Sequence, residues 1–190
     1  MKIALIWAGP RNLMAFERLV YWALDRKWAD EVKILIFDPF GIGGRVWNPN
    51  QNHELKMNSL ASKITLFTDD SIQMEGNPHL GPTLFEWATT LGKDFIENNN
   101  FKRQKLLLEE IDHLTKYSYS SRALFGIYQQ WFFQHVEKRM PSNFSIEIHS
   151  NLIHNVKFDN EKYILLTDEL AYQVDAISAA LGEGMDEPSD

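Results

Sequence analysis

The chain has 190 residues, and its 44% hydrophobic content is enough for one well-packed domain. A formal net charge of -7, without a long Lys/Arg run, argues against a surface that tracks nucleic-acid phosphates. The chain contains no cysteine, which excludes a thiolate nucleophile, a disulfide and cysteine-based metal sites.

Membrane and export signals are missing from the sequence. No apolar stretch reaches the roughly 18 to 20 residues that span a bilayer. The first residues lack the charged, apolar and small-residue regions of a signal peptide. We therefore expect a cytoplasmic protein with no membrane partner.

The first segment predicts a strand, a helix and a second strand. Residues 3–6 form a short apolar run, which is typical of a buried strand. Pro10 suits the first turn of a helix that we expect to end near Trp28. Residues 32–37 form a second apolar run, which ends at Asp38-Pro39. The right-handed crossover rule makes the two strands parallel neighbours.

The middle of the chain predicts a long loop and two helices. Residues 39–53 are rich in Gly, Pro and Asn, and residues 55–67 have no clear period. A helix is expected to open at Gly81-Pro82 and to end at residues 98–100. Ser120 and Ser121 are candidate caps of a further, aromatic-rich helix that Pro141 terminates. Its aromatic residues favour core packing, with a surface for a missing domain or partner as the alternative.

The last third alternates with period two. Residues 145–149, 156–158 and 163–166 predict an antiparallel β-meander, with a hairpin turn at Asp159-Asn160. The apolar run 174–181, followed by Gly182, predicts a last strand that rejoins the parallel sheet. Together these elements predict an α/β fold over residues 1–190, a Rossmann-like parallel sheet with flanking helices and an antiparallel β-meander, as a single domain.

The turn between the first strand and the first helix has the outline of the G-x-G-x-x-G fingerprint. Its three glycine positions hold Trp7, Gly9 and Asn12. In the intact motif the glycines allow a tight turn, a close approach of backbone to pyrophosphate, and close packing of helix on strand. Only the middle glycine is present.

Four segments resemble the FAD-NAD(P)-binding domain family of bacterial flavoproteins. They are Ala8-Gly9-Pro10-Arg11, the loop Phe37-Asp38-Pro39-Phe40-Gly41-Ile42-Gly43-Gly44-Arg45-Val46-Trp47-Asn48-Pro49, the stretch from Met57-Asn58 through residues 64–69, and Tyr128-Gln129-Gln130-Trp131-Phe132. The similarity spans nearly the whole chain, and the loop is its most specific part.

The resemblance implies FAD bound across the carboxyl ends of the parallel strands, with NAD(P)H as a cofactor at the level of the family. Gly9, Pro10 and Arg11 would face the pyrophosphate, and Asp38 would accept hydrogen bonds from the adenosine ribose. Gly43 and Gly44 would let the loop approach the cofactor, and Arg45 would offset phosphate charge; Asn58 and Thr65 would lie nearer the flavin ring.

The chain also differs from the family that it resembles. Trp7 and Asn12 add side chains where family members have glycine. Members are usually longer, so we expect the N-terminal part of a longer architecture, without a second nucleotide site and with a missing domain or a homo-oligomer as partner. The alternative is a binding or interaction module that has lost its cofactor, with Trp7 filling the pyrophosphate space. A third interpretation is a site for a single nucleotide.

Other catalytic patterns are absent from the sequence. The six histidines include no pair four residues apart on a predicted helix, so no metal site is expected. There is no G-x-S-x-G elbow and no ordered set of nucleophile, acid and base. Because a flavin carries its own redox chemistry, this pattern is compatible with a flavoprotein and leaves catalytic residues unassigned.

Overall fold

A four-stranded parallel sheet forms the centre of the fold. The computed structural model describes residues 1–69, 71, 74 and 76–181. Strands β1 (Lys2–Ile6), β2 (Val32–Phe37), β3 (Phe144–His149) and β7 (Ala176–Ala179) lie in the order β3-β2-β1-β7. All three neighbouring pairs are parallel. The predicted parallel pairing of the first two strands is therefore confirmed.

Helices cover one face of this sheet. The long helices are α1 (Pro10–Asp25) and α5 (Arg122–Glu137), which pack against each other. Shorter helical segments follow the sequence order: a 3-10 turn at Ala61–Lys63, α2 (Leu84–Trp87), a π-helical turn at Ala88–Gly92, α3 (Lys93–Glu97) and α4 (Gln104–His113). Ser121 caps α5 through its side chain, as predicted.

A three-stranded antiparallel meander covers the other face. It consists of β4 (Asn155–Asp159), β5 (Lys162–Leu166) and β6 (Ala171–Val174) in that order. Because side chains alternate along a strand, Leu5 and Ile34 belong to the helix-side core, whereas Ala4 and Leu35 belong to the meander-side core with Leu165. The predicted α/β class with a meander is confirmed.

Several predicted boundaries differ. Residues 144–149 do not belong to the meander; they form β3, the parallel edge strand beside β2. Period-two alternation predicted a half-buried strand correctly, but it does not distinguish a parallel edge from an antiparallel neighbour. The hairpin turn is Asn160-Glu161, both with positive φ, one residue later than predicted. The predicted last strand is β7, which begins at Ala176, because Val174 is the last residue of β6. The predicted Gly182 lies outside the described residues.

Two helical predictions also change. Helix α1 ends at Asp25, three residues before the predicted Trp28, and Lys27 has a positive φ of 50° beyond that end. Helix α4 was not predicted, because most of its residues are polar and only Leu107 and Ile111 are buried. The helix expected from Gly81 begins at Leu84, where Thr83 and Glu86 form a capping box.

Candidate functional site

The turn after β1 opens onto the N-terminus of α1. Gly9 is the N-cap, in an extended conformation with φ -76°, and Pro10 occupies the first helical position. A β-carbon built at Gly9 would have no described atom within 4 Å. The first-turn N–H groups of a helix have no intrahelical acceptors, and the first turn of α1 carries no acidic side chain. This end of α1 is therefore an open, electropositive site that suits an anion such as a pyrophosphate.

Asp38 links the two segments that follow β1 and β2. Its Oδ2 accepts the Ala8 N–H at 2.8 Å, and its Oδ1 accepts the Phe40 N–H at 2.8 Å. The residue is 1% exposed. Burial raises the pKa of Asp38, and the two backbone donors oppose that rise. Each carboxylate oxygen already accepts one backbone hydrogen bond, so contact with a ribose stays a prediction.

The loop after Asp38 folds back over the first turn. Gly43 donates its N–H to the carbonyl oxygen of Ala8 at 3.0 Å. Gly43 and Gly44 have φ values of 100° and 69°, which favour glycine. A β-carbon at Gly44 would lie 3.1 Å from Asp38 Oδ2. Four predicted site residues, Gly9, Asp38, Gly43 and Gly44, are thus brought to one edge of the sheet.

The remaining predicted residues are less closely grouped. Arg11, on the first turn of α1, and Arg45, on the glycine loop, are both exposed. Asn58 is exposed and accepts from the Ser59 hydroxyl at 3.5 Å, while Thr65 Oγ1 accepts the Phe67 N–H at 3.1 Å. No hydrogen bond within the described ranges joins Asn58 or Thr65 to the Gly9 turn, so their place near a flavin stays a prediction.

A depression lies beside Asp38 at the carboxyl ends of β2 and β3. Its volume is about 350 Å³. The residues that line it come from the start of the glycine loop, from the segment after β3 and from the β5–β6 turn: Pro39, Phe40, Ser150, Asn151, Leu152, Asp168 and Glu169. The open end of α1, the glycine loop and this depression all lie at the same edge of the parallel sheet.

Trp7 adopts the conformation that the fingerprint reserves for glycine. Its φ is 72°, and its N–H donates to the Phe37 carbonyl oxygen at 2.8 Å. For a residue with a β-carbon this region costs about 1–2 kcal/mol. The indole packs against the meander-side core that contains Ile6 and Phe37, on the face opposite α1. With open space in front of Gly9, this placement argues against an indole that fills the pyrophosphate space.

Asn12 has a role that the sequence analysis missed. It is 1% exposed, and its Nδ2 lies 2.7 Å from the carbonyl oxygens of both Ile6 and Trp7 and 3.2 Å from that of Ser178. The Ser178 hydroxyl donates to Asn12 Oδ1 at 2.7 Å. Asn12 at a glycine position was visible in the sequence, but its partner lies 166 residues away. Only the pairing of β1 with β7 brings the two together.

The remaining groups considered from the sequence are the aromatic side chains of α5, the histidines and candidate membrane segments. The aromatic side chains of α5 are mostly buried, as the core-packing prediction requires. Burial, Arg139 and Lys138 lower the pKa of His135 to about 4, and its ring packs edge-on to Phe67. In the part of the chain that the structure describes, no cluster of His, Cys, Asp or Glu is arranged to hold a metal ion. No helix there is long and apolar enough to cross a membrane.

Comparison with curated proteins gives three relatives above 30% identity. An L-aspartate N-monooxygenase (nitrosuccinate-forming) from Streptomyces cremeus is 35% identical over 153 residues, which are 78% of this chain and 23% of that protein. A nitrosuccinic acid synthase from Aspergillus oryzae is 33% identical over 154 residues, 78% of this chain and 20% of that protein. The chain therefore spans about a quarter or less of these relatives' length.

Comparison with solved structures supports the fold. A bacillithiol disulfide reductase from Staphylococcus aureus aligns with a TM-score of 0.54 and 16% identity, covering 96% of this chain and 38% of that chain. A lysine monooxygenase from Nocardia farcinica aligns with a TM-score of 0.53 and 10% identity, covering 97% of this chain and 55% of that one. At these identities the likeness concerns the fold alone.

A family model described as FAD-NAD(P)-binding matches residues 4–184. That range includes the open end of α1, Asp38 and the glycine loop. The match agrees with a helix end that suits an anion next to an acid that follows β2. On this match and this geometry, the chain belongs to the FAD-NAD(P)-binding family.

Proposed function

We propose that this chain is the FAD-binding domain of an NAD(P)H-linked flavoprotein oxidoreductase. The observation that carries the proposal is the uncapped N-terminus of α1 at Gly9, held beside the glycine loop by Asp38. When bound, FAD supplies the redox chemistry of hydride acceptance from NAD(P)H. The contribution of this chain is to bind the diphosphate and to orient the two ends of the cofactor.

Each predicted residue has a place in this proposal. Gly9, Pro10 and Arg11 would present the helix end and a cation to the pyrophosphate. Gly43 and Gly44 would allow the second loop to approach it, and Arg45 would add positive charge. The depression that begins at Pro39 would take the adenosine end, with Asp38 beside its ribose. Asn58 and Thr65 would lie toward the flavin ring.

The wider protein is part of the same proposal. Residues 1–190 would act as one dinucleotide-binding unit, the N-terminal part of a longer architecture. The curated relatives are named for N-oxygenation of L-aspartate and for nitrosuccinic acid synthesis, so we propose amino-acid N-oxygenation as the activity of the whole protein. The remaining region would come from a further domain or from a second copy of the chain. We place the protein in the cytoplasm, in keeping with its cysteine-free sequence.

A titration with FAD tests the cofactor proposal. We expect FAD to raise the thermal midpoint and to change its own absorbance on binding. The variant Gly9→Ala should weaken FAD binding by about tenfold, because its β-carbon enters the open space in front of α1, while the midpoint without FAD stays unchanged. Arg103→Ala, at the N-cap of α4, is the control and should bind FAD as the parent does. Equal affinities for Gly9→Ala and the parent would contradict the proposal.

Two observations favour a second candidate, an interaction module without a dinucleotide. Both Asp38 oxygens accept backbone hydrogen bonds, and Trp7 and Asn12 occupy two glycine positions. If excess FAD changes neither absorbance nor thermal midpoint, and Trp7→Gly with Asn12→Gly restores binding, this second function is supported. A response to ADP alone, without a response to FAD, would indicate the single-nucleotide site.

A further inference from the structure

The side chain of Asn12 stands where the fingerprint has its third glycine, and it contacts the turn that the first glycine position begins. Its amide nitrogen reaches the carbonyl oxygens of Ile6 and Trp7, each at 2.7 Å. The Ile6 carbonyl also accepts the Ala180 N–H at 3.2 Å, whereas the Trp7 carbonyl has no backbone donor among the described residues and depends on the Asn12 amide. Asn12 is 1% exposed, so its loss would leave the Trp7 carbonyl without that donor in a largely buried place, which is costly.

Ser178 binds the other end of that amide. Its hydroxyl donates to Asn12 Oδ1 at 2.7 Å, while the carbonyl oxygens of Ile6 and Trp7, which can only accept, keep the amide nitrogen directed toward the turn. Ser178 belongs to β7, and its neighbour along the chain, Ala179, pairs with Ile6 of β1. The amide therefore joins three elements: the end of β1, the first turn of α1, and β7.

Trp7 is the residue that needs this support. At φ 72° its backbone is in a region that a residue with a β-carbon avoids. Glycine would remain there without a side-chain contact, but a tryptophan released from its partners would return to negative φ. Such a change would move Ala8, whose N–H binds Asp38 and whose carbonyl oxygen binds Gly43.

We propose that Asn12, hydrogen-bonded to Ser178, is a positioning residue that holds Trp7 in the left-handed turn. It thereby keeps the Gly9 turn and the glycine loop in the geometry that binds a dinucleotide. The part of this statement that concerns FAD rests on the function proposed above. In this chain an asparagine and a tryptophan together replace two glycines: the tryptophan adopts the conformation of the first, and the asparagine stabilises it from the position of the third.

The test uses Asn12→Ala, Trp7→Gly and the double variant. Without FAD, amide hydrogen exchange at Ala8 and Gly43 reports the geometry of the turn. We expect Asn12→Ala to accelerate exchange at both positions by about tenfold and to weaken FAD binding by about tenfold. In the double variant, the glycine introduced at position 7 accepts the positive φ unaided. We therefore expect its exchange and its affinity to return to those of Trp7→Gly.

The matched control is Asn143→Ala. Asn143 also donates its side-chain amide to two backbone carbonyls, those of Trp28 and Asp30, but away from the Gly9 turn. It should leave exchange at Ala8 and Gly43 unchanged. If Asn12→Ala fails to fold, Ser178→Ala removes only the hydroxyl that binds Asn12 Oδ1 and should give the same pattern with smaller amplitude.

The outcomes separate the two proposals. Unchanged exchange at Ala8 and Gly43 in Asn12→Ala, or a double variant that remains as fast as Asn12→Ala, would overturn the positioning role. If the parent binds no FAD while the exchange pattern appears as expected, the positioning role of Asn12 stands and the proposed cofactor function fails.

Discussion

Gly43 donates its backbone N–H to the carbonyl oxygen of Ala8 at 3.0 Å, so the loop after β2 is bonded directly to the turn after β1. The same Ala8 donates its own N–H to the buried carboxylate of Asp38. The peptide groups on both sides of Ala8 are therefore held by the second segment. The turn after β1 and the loop after β2, which the family resemblance assigns to one cofactor, are therefore joined by hydrogen bonds into a single surface.

The variant Asp38→Asn should lose about 2 kcal/mol of unfolding free energy. The carboxylate accepts from two backbone N–H groups at 2.8 Å, whereas an amide offers one accepting oxygen and turns an NH₂ group toward the other donor. Chemical denaturation measures the change. Asp30→Asn, on the exposed surface, is the control and should have little effect. Equal stabilities of Asp38→Asn and the parent would show that the two backbone bonds contribute little.

The variant Gly126→Ala should be strongly destabilised, by more than about 2 kcal/mol. A β-carbon at Gly126 would lie 1.8 Å from the backbone carbonyl oxygen of Trp47, so helix α5 and the loop would have to separate. The thermal midpoint and the yield of folded protein measure the effect. Gly9→Ala makes the same chemical change where no described atom lies within 4 Å, and it should fold with the parent's midpoint. A normal midpoint for Gly126→Ala would mean that the loop does not lie on α5 in solution.

Glu17 makes the stability of this protein depend on pH. Its side chain is fully buried, its carboxylate oxygens have no hydrogen-bond partner among the described residues, and Arg18 Nη1 lies 3.7 Å away. Burial raises the pKa of Glu17 from 4.5 to about 7, with Arg18 opposing. The folded protein therefore holds this proton more tightly than the unfolded chain. Stability falls as pH rises from about 4.5 to about 7, and the full cost of about 3 kcal/mol remains above that range.

Glu17→Gln carries no titrating proton at this position, so it should lack that fall. We expect the unfolding free energy of the variant, relative to the parent, to rise by about 2–3 kcal/mol between about pH 5 and pH 8. Urea denaturation at several pH values gives this difference. Glu97→Gln, on the surface of α3, should follow the parent at every pH. Parallel pH profiles for Glu17→Gln and the parent would contradict a buried, protonated Glu17.

Tyr128→Phe should cost about 1–2 kcal/mol through two unsatisfied backbone groups. The Tyr128 hydroxyl donates to the Pro82 carbonyl oxygen at 2.7 Å and accepts the Leu66 N–H at 3.4 Å. Burial raises the pKa of Tyr128 to about 12, so the hydroxyl keeps its proton at neutral pH. Thermal unfolding measures the loss. The control Tyr117→Phe removes a hydroxyl from a side chain that is 68% exposed, and a comparable loss there would rule out this explanation.

The local elements of the site could be predicted from sequence because each depends on neighbouring residues. A short apolar run before Trp7 and a proline at position 10 were sufficient for β1 and for the start of α1. The serine at position 121 was sufficient for the start of α5. The glycines at 43 and 44 indicated a loop, and the structure gives both a left-handed φ, of 100° and 69°. These signals arise from sterics within a few residues, so no partner from elsewhere is needed.

Residues 144–149 show the limit of such signals. Their alternation was interpreted as part of the meander, yet they pair in parallel with β2. Alternation reports that one face of a strand is buried; it says nothing about which strand lies alongside. Helix α4 was missed for a related reason, since it gains its stability from contacts of Leu107 and Ile111 with distant parts of the core.

The sequence by itself determined the class of the fold, most of its elements and the family resemblance, because hydrophobic period and turn residues act locally. Only the tertiary structure decided that Trp7 turns its indole away from the helix end and that Asn12 reaches Ser178. It also decided that the Asp38 carboxylate joins two loops. The physical reason is that the Ala8–Asp38 and Asn12–Ser178 hydrogen bonds, which satisfy buried polar groups, join residues 30 and 166 positions apart in the sequence.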